Sequence, residues 1–553
     1  MPPRIFCTEE READTDTNFC LTNDEVLKIV IDSVRASFER YPGAEIISVS
    51  QNDNTLYCEC DECAAIDEAE GSHAGTMIRF VNDVAGEFPS KTISTLAYQY
   101  TRKPAVTKPA ANLLVTLCSI ECNRGVPIEE GCADFAGDLK GWRDMTDNIR
   151  IWDYTTQFTN FMAPFPNFHT LAPNIRFFRD NNAKWIFEQH SNNPSELFEL
   201  RSYLTARLLW NPDLDPVGIT REFTDGYYGR AGRYVSQYVE DITAEMVADS
   251  TFFLFLYGDP SQGFGSWLRP ERLEHYESLF DRAEEAVSGD SILVKRVREG
   301  RLGIDYAILE ASRKGLTSGY SIENNPDETA ARLDQFNRVC RGAGITHMNE
   351  MGYTVNEYTD SYQTAIKRSE TRNIARGKAV TLLTTPKKYA GEDPMTLTDG
   401  ATGGASFYSN WLGFEGNDMI AVIDLGEVSE IDSISTAFLQ VTNHIVFFPT
   451  VVKFYYSTDN SDFRLVTSEK TGSPLNPGSR VNDIEYFDIS FKPVKARYVK
   501  VEATNMKYAP VGTTRQRPSC LDILRRGDSE LGLRYVARLR RRLRRTGPAF
   551  VVG

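Results

Sequence analysis

The segment Ile46-Ile47-Ser48-Val49-Ser50-Gln51-Asn52-Asp53-Asn54 decides how this chain is read. Apolar Ile46, Ile47 and Val49 lead into a polar tip that carries one carboxylate, Asp53. The pattern predicts a buried strand ending in an amide and an acid, at the edge where parallel α/β proteins present their chemistry. Upstream, Asn23 can cap a helix whose apolar face holds Val26, Ile29, Val30, Val34 and Phe38 and which stops at Pro42-Gly43.

Downstream the alternation repeats. Lys91 to Tyr100, Asn112 to Cys122, Asn148 to Tyr154 and Ala183 to Gln189 read as strands. Met77 to Phe88, Phe135 to Met145 and Leu197 to Leu209 read as helices. This order predicts an α/β fold with a parallel sheet, open or closed into a β/α barrel. The strand ends are chemically alike: Asn52-Asp53, Tyr98 and Tyr100, Glu121, Trp152-Asp153-Tyr154, and Glu188-Gln189. Acids that move protons and rings that stack on a pyranose are what sugar cleavage needs. About five strands are legible against the eight of a full barrel, so the barrel is expected to lack its first strands and to be amino-terminally incomplete.

Residues 1–211 are assigned to this barrel. Residues 212–370 show helical patterns without β-rich runs and are expected to form a helical domain. Residues 371–526 hold short β-rich runs between turn signals, among them Met419 to Leu425, Val451 to Ser457 and Arg497 to Val501, and predict a β-sandwich. Residues 527–553 are expected to be an unstructured or non-native tail.

The net charge of −16 argues against nucleic acid or an anionic membrane as the main partner. Arg525 to Arg545 sets nine Arg against Asp528 and Glu530, a local +7 that leaves −23 elsewhere. No run approaches the ~18 apolar residues of a membrane span. Met1 to Glu10 holds no apolar core of a signal peptide.

Each candidate has a plainer alternative. Asp53 could end its strand in an Asx turn, Glu188 could be a buried ion-pair partner, and Trp152 could be core. Cys58-x-Cys60-x-x-Cys63 places three soft ligands at metal-like spacing, with Cys20, Cys122 or His73 as a fourth; a disulfide or free thiols would use the same residues. Phe407, Tyr408 and Trp411 could stack on a sugar or fill a core.

Several of these segments resemble glycoside hydrolase family 163. They are Ser48 to Asn54 through Cys58 to Cys63, Leu96 to Tyr100, Ile151 to Tyr154, Pro164 to Asn167, and Phe187 to Gln189. The resemblance covers roughly residues 20–340. It implies an endo-β-N-acetylglucosaminidase acting on N-glycans of glycoproteins, from Bacteroides-type bacteria, exported to the periplasm or cell surface. Exo-hexosaminidase activity and non-catalytic glycan binding are the alternatives.

A more distant likeness to family 20 hexosaminidases implies substrate-assisted retaining hydrolysis. Asn52 then orients the substrate's acetamido group and Asp53 is the acid, with Glu121 as its rival. Trp152 floors the subsite among Tyr98, Tyr100, Asp153 and Tyr154, and Glu188 grips sugar hydroxyls. Asn373 to Ala375, Leu397 to Gly400, Ala421 to Gly426 and Ala496 to Val501 resemble the discoidin, or coagulation factor 5/8 type C, sandwich. That likeness implies a carbohydrate-binding module with a structural calcium, for which Asp399 is the candidate ligand. No cofactor is expected to be required.

Overall fold

The computed structural model of the chain describes residues 18–387, 393–408, 410–472, 482–508 and 549–552. Helix α1 (Asp24–Arg40) begins where the Asn23 side chain accepts the N–H groups of Glu25 and Val26 at 2.8 and 3.2 Å. There follow β1 (Ile46–Ser48), α2 (Asp61–Glu70), α3 (Ala74–Gly86), β2 (Thr92–Ala97), β3 (Leu113–Cys118) and α4 (Ile128–Gly131). Next come α5 (Ala133–Arg143), β4 (Ile149–Tyr154), α6 (Phe168–Asp180), β5 (Ala183–Gln189) and α7 (Phe198–Trp210). Strands β1 to β5 pair in chain order, all parallel, as a curled half-barrel sheet.

Alternate residues of these strands face a helical layer. Ile93, Leu113, Val115, Leu117, Ile149 and Ile151 pack with Val81 of α3, Phe135 and Trp142 of α5, and Phe178 of α6. The residues between them, Leu96, Cys118, Trp152, Tyr154 and Phe187, lie on the other face. β1 departs from expectation. It has three residues, and Ile46 is 41% exposed. Among the described residues β1 pairs with β2 alone, so it is an edge strand and not the buried strand its apolar run suggested. Helices α2 and α6 were not foreseen: α6 carries Pro173 inside it, and α2 has only a weak apolar stripe.

Six further helices follow: α8 (Pro216–Tyr228), α9 (Gly232–Ala248), α10 (Pro270–Ala286), α11 (Ser291–Lys314), α12 (Pro326–Gly342) and α13 (Val355–Ser369). One core joins Leu171 and Ile175 of α6 and Leu200, Leu204 and Leu208 of α7 to Tyr238, Tyr276, Phe280 and Ile304. The sheet's helical layer thus continues into the helical region without a seam near residue 211. A second core sets Tyr154, Phe158 and Phe161 against Tyr306, Phe336 and Tyr358.

The carboxy-terminal region holds β6 (Ala379–Leu382), β7 (Leu412–Glu415), β8 (Met419–Gln440), β9 (Val451–Ser457), β10 (Arg464–Lys470), β11 (Asp483–Thr504) and β12 (Ala549–Val552). β8 and β11 pair antiparallel along their length, with register shifts between Ser490 and Val494 and between Ala496 and Tyr498. Such bulges let a long ribbon bend over its own core, as a sandwich requires. Phe414, Phe438, Phe454 and Phe487 fill that core. The Arg525–Arg545 run lies outside the described residues. Within the expected unstructured tail, however, residues 549–552 pair with β7 and β8. No helix among the described residues is long and apolar enough to cross a membrane.

The loop after β4 is tied to α7 by Arg201. This fully buried guanidinium donates to the Thr155 and Phe165 carbonyls at 3.1 and 3.0 Å and pairs with buried Glu196 at 2.9 Å. Removing one partner of a buried pair strands the other charge. Arg201→Met should therefore lower stability by about 3–5 kcal/mol, read from urea midpoints at unchanged slope.

Candidate functional site

The Asp53 loop leaves β1 at the carboxyl edge of the sheet and is held from three directions. The Tyr98 hydroxyl, just past β2, donates to Asp53 Oδ1 at 3.0 Å. Asn18 Oδ1 accepts the Asn52 N–H at 2.7 Å, and Asn18 Nδ2 donates to Asn54 Oδ1 at 3.1 Å and to the Leu56 carbonyl at 2.6 Å. Gln51 is buried and donates to the Tyr98 carbonyl at 2.6 Å. Asp53 therefore projects into solvent from a loop that is itself fastened.

Around it converge groups from distant parts of the chain. Tyr98 is pushed above the usual phenol range, chiefly by burial and next by the Asp53 charge. Tyr257, from the segment between α9 and α10, is raised by burial and then by the charges of Glu350 and Asp53. Tyr154 is raised by burial, then by Cys118, Tyr98 and Tyr257. Glu350, in the loop between α12 and α13, is raised by burial and then by Asp53. Glu350 is thus a partly buried carboxyl that feels the charge of Asp53, and both effects favour its protonated form. Nothing local marks Glu350: it sits in a short polar loop of a helical region, and only the packing of that loop against Phe158, whose carbonyl accepts the Glu350 N–H at 3.1 Å, delivers it.

The candidates at β4 and β5 divide between two faces. Trp152 lies on the open face, edge-on to Phe187 at 5.2 Å between ring centroids, with its Nε1 donating to Gln189 Oε1 at 2.7 Å. Asp153 points the other way. It is 2% exposed and is bound by Arg124 and by the Ser119 hydroxyl. Glu188 is its register partner on that same face. The Glu188 carboxyl is raised well above the usual range, by burial first and by the Asp153 charge next, against the pull of Arg124. Its Oε2 is buried without a hydrogen-bond partner. Asp153 and Glu188 were placed among sugar contacts; the alternation of the strand puts them behind the sheet instead.

Two further assignments change. Glu121 lies beyond the end of β3, paired with Arg102 at 3.1 Å, and Arg102 also holds Asp138 at 2.8 Å. Tyr100 turns away from Tyr98 across a 3₁₀ turn and packs with Tyr57 and His73, at centroid separations of 5.3 and 6.2 Å. A cavity of about 300 Å³ lies on that side, between α1, α3 and β1, apart from Asp53.

The Cys58-x-Cys60-x-x-Cys63 loop follows directly. The sulfurs of Cys20, Cys58, Cys60 and Cys63 all lie within 4.8 Å of one another. Cys122 is excluded as the fourth member by its disulfide to Cys132, and His73 lies outside this group of sulfurs, its Nδ1 held by Asp67 at 2.6 Å. Cys58 is itself disulfide-bonded.

In the sandwich, Asp399 closes an Asx turn on the Ala401 N–H at 2.8 Å, and the charges that act on it include Lys314 and Arg376. Trp411, 1% exposed, and Phe407 are core residues and not a sugar platform.

A family model described as a domain of unknown function (DUF4838) matches residues 2–240, and the F5/8 type C domain matches residues 382–515. The first names no activity. No curated protein matches. Solved structures similar to this chain include chitosan-binding module 1 of a chitosanase/glucanase from Paenibacillus sp. IK-5, at 17% identity over 24% of this chain and 85% of that one, TM-score 0.18. A CBM32 from Clostridium perfringens, in complex with GalNAc-β-1,3-galactose, has 17% identity over 24% and 86%, TM-score 0.17. The lectin domain of lectinolysin, complexed with Lewis B antigen, has 18% over 25% and 88%, TM-score 0.17. The carboxy-terminal sandwich is an F5/8 type C, discoidin-like domain.

A carboxyl raised above its unfolded value stabilises the fold while protonated, and that contribution is lost as pH rises from about 4.5 through the raised value. Glu188→Gln keeps the neutral shape. Its melting temperature should match the parent near pH 4 and exceed it increasingly toward pH 8, by scanning calorimetry at about pH 4, 6 and 8. A pH-independent difference would contradict a buried, protonated Glu188.

Proposed function

We propose that this protein is a glycoside hydrolase, an endo-β-N-acetylglucosaminidase that cleaves N-glycans with the substrate's own 2-acetamido group as nucleophile. The observation that carries the proposal is a pair of interacting carboxyls past the carboxyl edge of the sheet, Asp53 held by Tyr98 and Glu350 raised by burial and by the Asp53 charge. A carboxyl whose pKa is raised by burial is suited to the acid's role. Glu350, its carboxyl raised by burial, donates its proton to the leaving glycosidic oxygen. Asp53 accepts the acetamido N–H, so that the acetamido oxygen attacks the anomeric carbon as the glycosidic bond breaks, and Asn52 flanks it. Glu350, now deprotonated, then takes a proton from the water that opens the cyclic intermediate. This moves the acid's role from Asp53 to Glu350; Glu121, already paired with Arg102, is a weaker candidate. Trp152 and Phe187 offer rings to the sugar faces.

The F5/8 type C domain fits the same reading as a module that holds the enzyme on a glycan-bearing surface. The Cys122–Cys132 disulfide fits an exported protein, in the periplasm or at the cell surface. One observation favours a second reading, a non-catalytic glycan-binding protein: β5 leaves Trp185 57% and Phe187 47% exposed on the sheet.

Mass spectrometry of a glycoprotein bearing complex N-glycans decides between them. Hydrolysis releases glycans with one reducing-end GlcNAc and leaves one on the protein. Absence of release together with glycan retention on the folded chain supports the binding reading. If hydrolysis occurs, Glu350→Gln should lower kcat on the glycan by about 10²–10⁴-fold and far less on an activated aryl glycoside, whose leaving group needs no proton. Parent activity should fall as pH rises through the raised Glu350 pKa. Asp53→Asn should fail on both substrates. Rescue of Asp53→Asn by the aryl glycoside, with Glu350→Gln near normal, would return the acid's role to Asp53.

A further inference from the structure

Three thiols meet beside the Asp53 loop. Cys20 Sγ lies 3.8 Å from Cys60 Sγ and 3.9 Å from Cys63 Sγ. A disulfide needs sulfurs about 2.05 Å apart, and Cys20 sits almost equally far from both neighbours; all three cysteines are free thiols. A tetrahedral zinc ion with ~2.3 Å bonds to sulfur separates its thiolates by about 3.8 Å. The two sulfur edges from Cys20 match those of a thiolate tetrahedron.

The fourth corner is also furnished. Thr22 Oγ1 stands 3.3 Å from Cys20 Sγ, 3.5 Å from Cys63 Sγ and 3.9 Å from Cys60 Sγ. With a zinc–oxygen bond of ~2.0 Å the oxygen-to-sulfur edge is about 3.5 Å. Cys60 caps α2, and the Cys63 N–H points at Cys60 Sγ at 3.5 Å, an orientation that favours thiolate. Cys58 is near but committed to its disulfide, which leaves three free thiols together in one place.

We propose that Cys20, Cys60 and Cys63, capped by the Thr22 oxygen, form a structural zinc site that staples the Asp53 loop. The site joins the segment at residues 18–22 to the loop at 51–63. Asn18, two residues before Cys20, is the residue that clamps both sides of Asp53. Binding replaces the thiol protons of the three cysteines, so three protons leave as one zinc ion enters. The ion is closed off by its ligands and serves the position of the loop, not the reaction.

The full chain, purified without chelator or added metal, tests this by elemental analysis. One zinc per chain is expected, and a mercurial that titrates thiols should release it in full. Cobalt substitution should give the intense visible bands of a tetrahedral, thiolate-ligated ion. Cys20→Ser should reduce zinc from one per chain to near zero and lower the melting temperature. If that variant fails to fold, Thr22→Val, which keeps all three thiols, should still bind cobalt with an altered spectrum. Non-reducing peptide mapping supplies the contrary outcomes. A disulfide involving Cys20, Cys60 or Cys63 overturns the site, as does a chain whose three thiols alkylate freely in the presence of zinc. Four protected thiols, Cys58 included, would overturn the Thr22-capped form.

Discussion

Successive side chains of a pleated strand point to opposite faces, and at the carboxyl ends of β4 and β5 this alternation sorts the chemistry. Trp152, Tyr154 and Phe187 face the open side of the half-barrel. Asp153 and Glu188, one residue out of step, face the helical layer, where Arg124 and Ser119 receive Asp153. Rings and acids adjacent in the chain thus serve different ends. Trp152 and Phe187 are available to a ligand, whereas Tyr154 is buried against Phe158, and the acids lie behind the sheet, where burial raises the Glu188 carboxyl.

The acids left in the cleft come from elsewhere. Asp53 is carried by an exposed loop that is nonetheless restrained, since Tyr98, Asn18 and Gln51 hold it or its neighbours through hydrogen bonds to side chains far away in the chain. Glu350 arrives from the helical region, whose core is continuous with the layer behind the sheet. The catalytic reading therefore depends on the helical region as much as on the sheet. The packing of its loop against Phe158 partly buries Glu350, and that burial, with the nearby Asp53 charge, pushes its carboxyl up.

The F5/8 type C sandwich meets the helices through a charged and aromatic contact: Arg368 pairs with Asp488 at 2.6 Å and lies over the Tyr486 ring at 3.7 Å. A surface contact of this kind contributes little to stability but sets an orientation. Trp411 and Phe407, attractive as stacking residues on paper, are consumed by the sandwich core because a small two-layered domain needs its large side chains inside.

Much of the local structure was legible in the chain itself. Continuous apolar runs marked β2 to β5, Asn23 marked the start of α1, and the polar, turn-rich rhythm after residue 371 marked a sandwich, because each rests on the period of hydrophobic side chains within a few residues. The Asn52-Asp53 tip and the Cys60-x-x-Cys63 turn were visible for the same reason. What the tertiary structure alone decided was proximity between distant segments. It set Glu350 beside Asp53, brought Cys20 and Thr22 to Cys60 and Cys63, tied Glu121 to Arg102, and left β1 at an edge. Those outcomes follow from packing across the chain, and no periodicity or local propensity carries that information.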